Sequence, residues 1–360
     1  MMSTNSRLQR LRRGLADKNV DAFFVSQPEN RCYLSGFDGS AGYLLITQEK
    51  AVLATDFRYL EQADRQAPGY EVFRITNKIA EWFPKLIGDL NIRKLGFEAE
   101  NITFALHQQM KDALDKQVKT GLVPLHSLVE SLRTVKEPGE MERIKKAAAI
   151  GDAAYEHVKD IIKPGVTERQ VAWEIEKCLR EGGSQAVPFE IIVTAGPNAA
   201  LPHARPSGRI IQAGEPIVID MGARFDGYAS DLTRTICLGK PDDKFKKVYG
   251  IVLEAQLAAI SAIVEGMSGH EADNIARTVI GKAGYGETFG HGLGHGIGLA
   301  THEAPRLGPA SADILTQGMV FTVEPGIYLP GWGGVRIEDL TTIKNGKLEV
   351  VSQARKEKYD

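Results

Sequence analysis

Cysteine is scarce in this chain. Cys32, Cys178 and Cys237 are the three among 360 residues, and they are scattered and odd in number. They allow no disulfide framework and no paired-cysteine metal motif, and such usage fits a reducing, cytoplasmic setting. Each is read as a small buried hydrophobe. An excess of one charge is also missing. The net charge of −2 makes no electrostatic case for nucleic acid or an anionic membrane. No apolar run approaches the roughly 20 residues that span a bilayer, and Met1 to Arg13 lacks the apolar centre of a signal peptide. Long acidic or basic tails are absent too, which weighs against a charged interaction module. What remains is 43% hydrophobic and 25% charged, an ordinary globular composition in a chain long enough for two domains.

The patterning divides near Ser131. Residues 1–130 alternate strand and helix signals, with a helical pattern over Leu8–Leu15 and strand patterns over Asp21–Val25, Gly42–Thr47 and Ala51–Thr55. Tyr33–Gly42 (YLSGFDGSAG) reads as a turn-rich stretch. Residues 131–360 open on a long helix beginning near Pro138. Its stripe of Met141, Ile144, Ala148, Gly151, Tyr155, Val158 and Ile162 keeps three-and-four spacing until Pro164–Gly165 stops it. This second region echoes itself. Pro164–Gln170 and Glu265–Glu271 each carry a glycine, an apolar residue and a capping box, Thr167 with Gln170 and Ser268 with Glu271. The echo points to two related α/β halves, and a site between them would draw on both.

The chemistry gathers in the second region. Ile217–Gly222 and Tyr228–Thr235 are strand-like runs around a turn. A four-residue loop, Arg224–Gly227, places Asp220 directly opposite Asp231, with Cβ atoms about 4.5–5.5 Å apart. Carboxylates that close repel, so one is protonated or a cation sits between them. Other segments add donors: His291 and His295 in Gly290–Gly296, Glu324 at the end of an apolar strand, Glu338 with Arg336 in the strand-like run Gly334–Asp339, and His203 and His302. Glu303 and Asp339 are read as supporting or solvated. Asp220, Asp231, Glu324 and Glu338 carry four negative charges, which two divalent ions cancel. Oxygen donors with one imidazole suit Mn²⁺, Co²⁺ or Zn²⁺.

At these residues the chain resembles the pita-bread metallopeptidases, the family of aminopeptidase P, prolidase and methionine aminopeptidase. The resemblance runs over nearly the whole chain. It implies an α+β protein with a smaller α/β N-terminal domain before a pita-bread catalytic domain. By resemblance, Asp220 binds one metal, His295 and Glu324 the other, and Asp231 and Glu338 bridge both. His203 resembles the histidine at the scissile region, His302 one that stabilises the tetrahedral intermediate, and His291 a further pocket histidine. The N-terminal region, with its Tyr33–Gly42 segment, is similar to the extra domain of proline-directed members.

The implied reaction is hydrolysis of an Xaa-Pro bond by a hydroxide shared by two metals, with Glu324 shuttling a proton to the leaving nitrogen. An aminopeptidase P-like activity with dipeptidase overlap is expected first and a strict dipeptidase second. A creatinase-type hydrolase, a methionine aminopeptidase and a non-enzymatic binding module are the other readings. Xaa-Pro peptides are the expected partners, in a cytoplasmic homodimer. Phe189 is a candidate apolar wall for proline or a core residue. Arg306 is a candidate for binding a dipeptide's carboxylate, against a solvated loop arginine. Arg336 either orients a ligand carboxylate or forms a plain salt bridge.

Overall fold

A computed structural model describes residues 4–76 and 78–359. Its contacts divide the chain into two compact units, with the break between Arg133 and Thr134.

The first unit holds a six-stranded mixed sheet. Its strands are β1 (Ala22–Val25), β2 (Tyr43–Thr47), β3 (Ala51–Thr55), β4 (Glu71–Arg74), β5 (Lys94–Glu98) and β6 (Gly121–Leu125), in the order β4-β3-β2-β1-β5-β6. β1, β2 and β3 are antiparallel, with helix Pro28–Ser35 between β1 and β2 and a short hairpin joining β2 to β3, and β5 and β6 run parallel to β1. Phe24, Leu45, Phe83 and Leu95 are fully buried in a core over this sheet. The stretch expected to be turn from Tyr33 onwards begins instead as the end of a helix, Pro28–Ser35. Proline opens that helix, where a missing N–H costs nothing, and Gly36 closes it at φ 80°.

The second unit is built twice over. Helix Pro138–Ile161 precedes helix Glu168–Glu181, and helix Asp243–Ala262 precedes helix Gly269–Lys282. Both expected capping boxes form, Thr167 with Gln170 and Ser268 with Glu271. The correspondence extends beyond the caps. Thr167 makes an isolated bridge to Ile210 and Ser268 one to Ile314. Gly165 N donates to Ile211 O at 3.0 Å, and Gly266 N to Leu315 O at 2.8 Å.

The first half adds the antiparallel sheet β11-β8-β7, made of β7 (Ile192–Ala195), β8 (Pro216–Met221) and β11 (Leu232–Cys237). The short pair β9 (Arg224–Phe225) and β10 (Tyr228–Ala229) extends the β8–β11 hairpin. The second half supplies β12 (Gly294–Gly296), β13 (Glu303–Leu307), β14 (Val320–Val323), β15 (Gly326–Leu329), β16 (Gly333–Arg336), β17 (Asp339–Lys344) and β18 (Lys347–Val350). Five of these form the sheet β13-β12-β14-β17-β18, and β15 pairs with β16.

Two local expectations fail here. The hairpin turns on two residues, Asp226 at φ 46° and Gly227 at φ 82°, not on four. Asp-Gly is a strong signal for such a turn, because both positions need positive φ. The shorter turn pairs Asp220 with Thr233, and Asp231 does not oppose Asp220. The slip is an even number of residues, so both carboxylates keep the same face. The run Gly334–Asp339 is likewise not one strand. β16 ends at Arg336 and β17 starts at Asp339 in a different sheet, leaving Ile337 and Glu338 as the link. The cysteines also differ from expectation, since all three are half-buried. Among the described residues, no helix is long and apolar enough to cross a membrane.

Candidate active site

Local backbone demands explain why the histidines sit among glycines. A Cβ on Gly294 would lie 2.0 Å from Thr322 O, and one on Gly296 would lie 2.1 Å from Ala304 O. Only glycine lets β12 insert between β13 and β14 at that spacing. His295 is held between these two, its backbone N–H donating to Thr322 Oγ1 at 3.0 Å. Its Nδ1 lies 3.1 Å from Gly296 O. With the proton on Nδ1, the lone pair of Nε2 faces the acids.

Those acids converge from positions just outside the ends of separate strands. One donor atom each from Asp231, His295 and Glu338 lie within 4.8 Å of one another. His295 Nε2 is 3.7 Å from Asp231 Oδ2 and 3.4 Å from Glu324 Oε1. Asp231 and Glu338 are 6% and 2% exposed. Burial pushes both carboxyls well above the usual carboxylate range, and the neighbouring carboxylates push them further. Burial raises Glu324 as well. Glu338 accepts from Thr233 Oγ1 at 2.6 Å, and Glu324 from Thr322 Oγ1 at 2.9 Å.

Asp220 divides its oxygens. Oδ2 accepts from Arg336 Nη2 at 2.7 Å. Oδ1 is buried with no hydrogen-bond partner among the described residues. Arg336 therefore makes a salt bridge here, and it is itself held by Thr233 Oγ1 and Tyr328 Oη. A buried orphan oxygen and acids repelling one another suit a divalent cation, as does the hard oxygen set with one imidazole. The residues present fit such a group.

A cavity of about 930 Å³ is lined by every candidate site residue: Asp220, Asp231, His295, Glu324, Glu338, His203, His302, His291, Phe189, Arg306 and Arg336. His203, His302 and Arg306 are exposed, while His291 and Phe189 are half-buried. The His302 ring centroid lies 4.1 Å from that of His295. Loss of water around its ring within the cavity lowers the His302 pKa to about 4, helped by the neighbouring His295, Arg306 and His203. His291 is lowered by burial and meets Tyr328 Oη at 2.9 Å.

Tyr328 was not legible in the sequence. It is 8% exposed and touches both His291 and Arg336. A Cβ on Gly326 would meet its hydroxyl at 2.6 Å, so a glycine two positions before a tyrosine was the available signal. Glu303 and Asp339 are not solvated. Glu303 pairs with buried Lys136 at 2.8 Å, and Asp339 with Arg234 at 2.7 Å.

Comparison with known proteins accounts for this arrangement. Residues 142–345 match metallopeptidase family M24, and residues 7–135 match the creatinase/prolidase N-terminal domain. The chain belongs to metallopeptidase family M24, and it is an enzyme of that pita-bread type. It is 42% identical to the Xaa-Pro dipeptidase from Bacillus anthracis, covering 99% of each chain with a TM-score of 0.95. It is 37% identical to the Xaa-Pro dipeptidase of Pyrococcus horikoshii, covering 94% of this chain and 95% of the relative. The X-Pro aminopeptidase from Thermotoga maritima is 35% identical, with a TM-score of 0.90 over 98% of this chain and 99% of its own. The family implies divalent metals, and the carboxylate and histidine cluster is where this chain could hold them.

Proposed function

We propose that this chain is an Xaa-Pro dipeptidase that hydrolyses the amide bond between an N-terminal residue and proline. The observation that carries the reading is the convergence of Asp231, His295 and Glu338 on one point of a cavity that Arg306 also lines. Dipeptidase moves ahead of the aminopeptidase P-like activity that the sequence put first. Relatives 42% and 37% identical bear the dipeptidase name. Arg306 also lies opposite His295 in the β12–β13 pairing, where a guanidinium can meet the carboxylate of a two-residue substrate. The aminopeptidase reading rests on the 35% identical relative from Thermotoga.

In this proposal Asp220, Asp231, His295, Glu324 and Glu338 hold two divalent ions, with Mn²⁺ ahead of Co²⁺ and Zn²⁺. Bound ions of this kind supply Lewis acidity and make water acidic enough to attack near neutral pH. The chain's own groups do the rest. His302, neutral above pH about 4, donates an N–H to the carbonyl oxygen as charge develops, with His203 beside it. Glu324, its carboxyl raised by burial, takes the proton of the attacking water and returns it to the proline nitrogen as the C–N bond breaks. Phe189 walls the proline ring. The same reading carries a cytoplasmic homodimer, which light scattering and cell fractionation test.

The deciding experiment compares Ala-Pro, Ala-Pro-Ala and Met-Ala with apoprotein and with protein reloaded with Mn²⁺, Co²⁺ or Zn²⁺. Metal-dependent cleavage of Ala-Pro alone is expected. Equal cleavage of Ala-Pro-Ala returns the aminopeptidase reading, and inactivity on both proline substrates rejects the proposal. Arg306→Ala is expected to raise KM for Ala-Pro about tenfold, the scale of one charge-assisted hydrogen bond.

A further inference from the structure

We propose that residues 352–359 form part of the frame that holds Asp231 and Glu338 at metal-binding distance. The link is Arg234, a fully buried side chain on the strand that begins one residue after Asp231. A guanidinium has five N–H donors and no acceptor. Here all five are matched. Nη1 donates to Thr233 O at 2.9 Å and to Glu338 O in a short contact. Nη2 donates to Asp339 Oδ1 and to Ala354 O, both at 2.7 Å. Nε donates to Arg355 O at 3.1 Å. Two of the five acceptors therefore belong to the C-terminal segment, and two more belong to Glu338 and its neighbour Asp339 at the start of β17.

Glu338 lies outside any strand, because it sits between β16 and β17. Its position comes from Thr233 and Arg234. Glu338 N donates to Thr233 O at 3.0 Å, Thr233 Oγ1 donates to the Glu338 carboxylate, and Arg234 clamps the Glu338 carbonyl. Removing Ala354 O and Arg355 O would strand two buried N–H groups. The guanidinium would then turn towards the acceptors that remain, drawing Glu338 with it.

The segment is anchored firmly enough to serve as a reference point, and its anchors lie in both halves. Asp152, on helix Pro138–Ile161, accepts from Gln353 N at 2.8 Å and Ala354 N at 3.0 Å. Lys159 on the same helix pairs with Glu357 at 2.6 Å. Lys356 Nζ meets Asp339 Oδ2 at 2.5 Å. Tyr359 packs edge-on against Phe245 and Tyr249 of helix Asp243–Ala262, and its hydroxyl accepts from Cys237 N at 2.9 Å. A segment without strand or helix thus ties the two halves together behind the acids. Arg234, Lys356 and Tyr359 are positioning residues and do not touch substrate.

The inference rests on the proposed metal-binding role of Asp231 and Glu338, and the test separates the two. Free Mn²⁺ is followed by electron paramagnetic resonance while it is titrated into wild type, Lys356→Met, Tyr359→Phe, Arg234→Lys, Asp231→Asn and Glu338→Gln. Lys356→Met and Arg234→Lys are expected to weaken Mn²⁺ binding 10- to 100-fold, the usual scale for partners of metal-ligating residues. Saturating Mn²⁺ should restore most of kcat in Lys356→Met. If Arg234→Lys does not fold, Lys356→Met and Tyr359→Phe carry the test. Unchanged Mn²⁺ affinity in the folded variants, with a lowered Tm, would overturn the inference and leave the segment a stabilising strap. Unchanged affinity in Asp231→Asn and Glu338→Gln would instead overturn the metal-site reading beneath it.

Discussion

Each unit of this protein buries acid, but on different terms. In the first, Glu98 is 3% exposed and surrounded by donors. Its carboxylate accepts from Ser26 N at 2.6 Å, Ser26 Oγ at 2.8 Å, Gln27 N at 2.7 Å and Asn30 Nδ2 at 2.8 Å. Burial raises its pKa, and these hydrogen bonds pull it back down. In the second, Asp231 and Glu338 are buried to a similar degree, but other carboxylates are prominent among their neighbours and raise them further. Burial alone therefore does not mark a functional acid. Glu98 is neutralised by the protein's own dipoles and ties a sheet to a helix. The second cluster leaves charge that the chain does not neutralise, which is the condition for binding a cation.

The largest expected effect breaks the second side of this contrast. Asp231→Asn should lower kcat/KM on the order of a thousandfold, because metal-assisted hydrolysis is worth several kcal/mol. The same variant without metal should melt higher than wild-type apoprotein, since a repulsive buried charge is gone. Steady-state kinetics and calorimetry check both halves of the statement. A metal-free Asp231→Asn protein that melts lower would mean the cluster is a structural ion network.

Breaking the first side should cost stability and leave metal binding untouched. Glu98→Ala strands several buried donors, and about 3 kcal/mol should be lost in urea unfolding. Mn²⁺ affinity should stay at the wild-type value. A matching loss of Mn²⁺ affinity would erase the distinction drawn between the two acids.

Chelation sharpens the comparison through pH. Asp231 and Glu338 have folded pKa values well above their unfolded ones, so the folded apoprotein binds more protons than the unfolded chain between those values. Stability of the apoprotein is then fully present below about pH 4 as far as these groups are concerned, and declines as pH rises through the folded pKa values. Metal-loaded protein should lack this decline. Melting curves with and without chelator, from pH 4 to 8, would contradict the reading if the two slopes agreed. The smallest effect is expected from Tyr328→Phe, which removes the hydroxyl linking His291 to Arg336. A loss of about 1 kcal/mol in transition-state binding, near fivefold in kcat/KM, is the scale of one hydrogen bond.

Much of the fold was legible because its signals are local. The capping residues Thr167 and Ser268, the helix stop at Pro164–Gly165 and the apolar stripe from Ile144 to Val158 act within one or two turns. The candidate site residues could be listed because acids at strand ends and histidines between glycines are unusual. The hairpin register was misread although its Asp-Gly turn was in plain view, since the strand runs alone suit either loop length. The helix at Pro28–Ser35 was hidden by the turn-like composition that follows it.

The sequence by itself determined the two repeated helix pairs, the strands that end in acids, and the glycines that let β12 lie between its neighbours. These depend on backbone preferences and on contacts a few residues apart. Only the tertiary structure decided which oxygen of Asp220 meets Arg336, that Tyr328 stands between His291 and Arg336, and that Arg234 joins Glu338 to Ala354 and Arg355. Those pairings span from 8 to 121 positions of chain. No local pattern encodes them, because a guanidinium or hydroxyl can satisfy its donors with any acceptor the fold brings within reach.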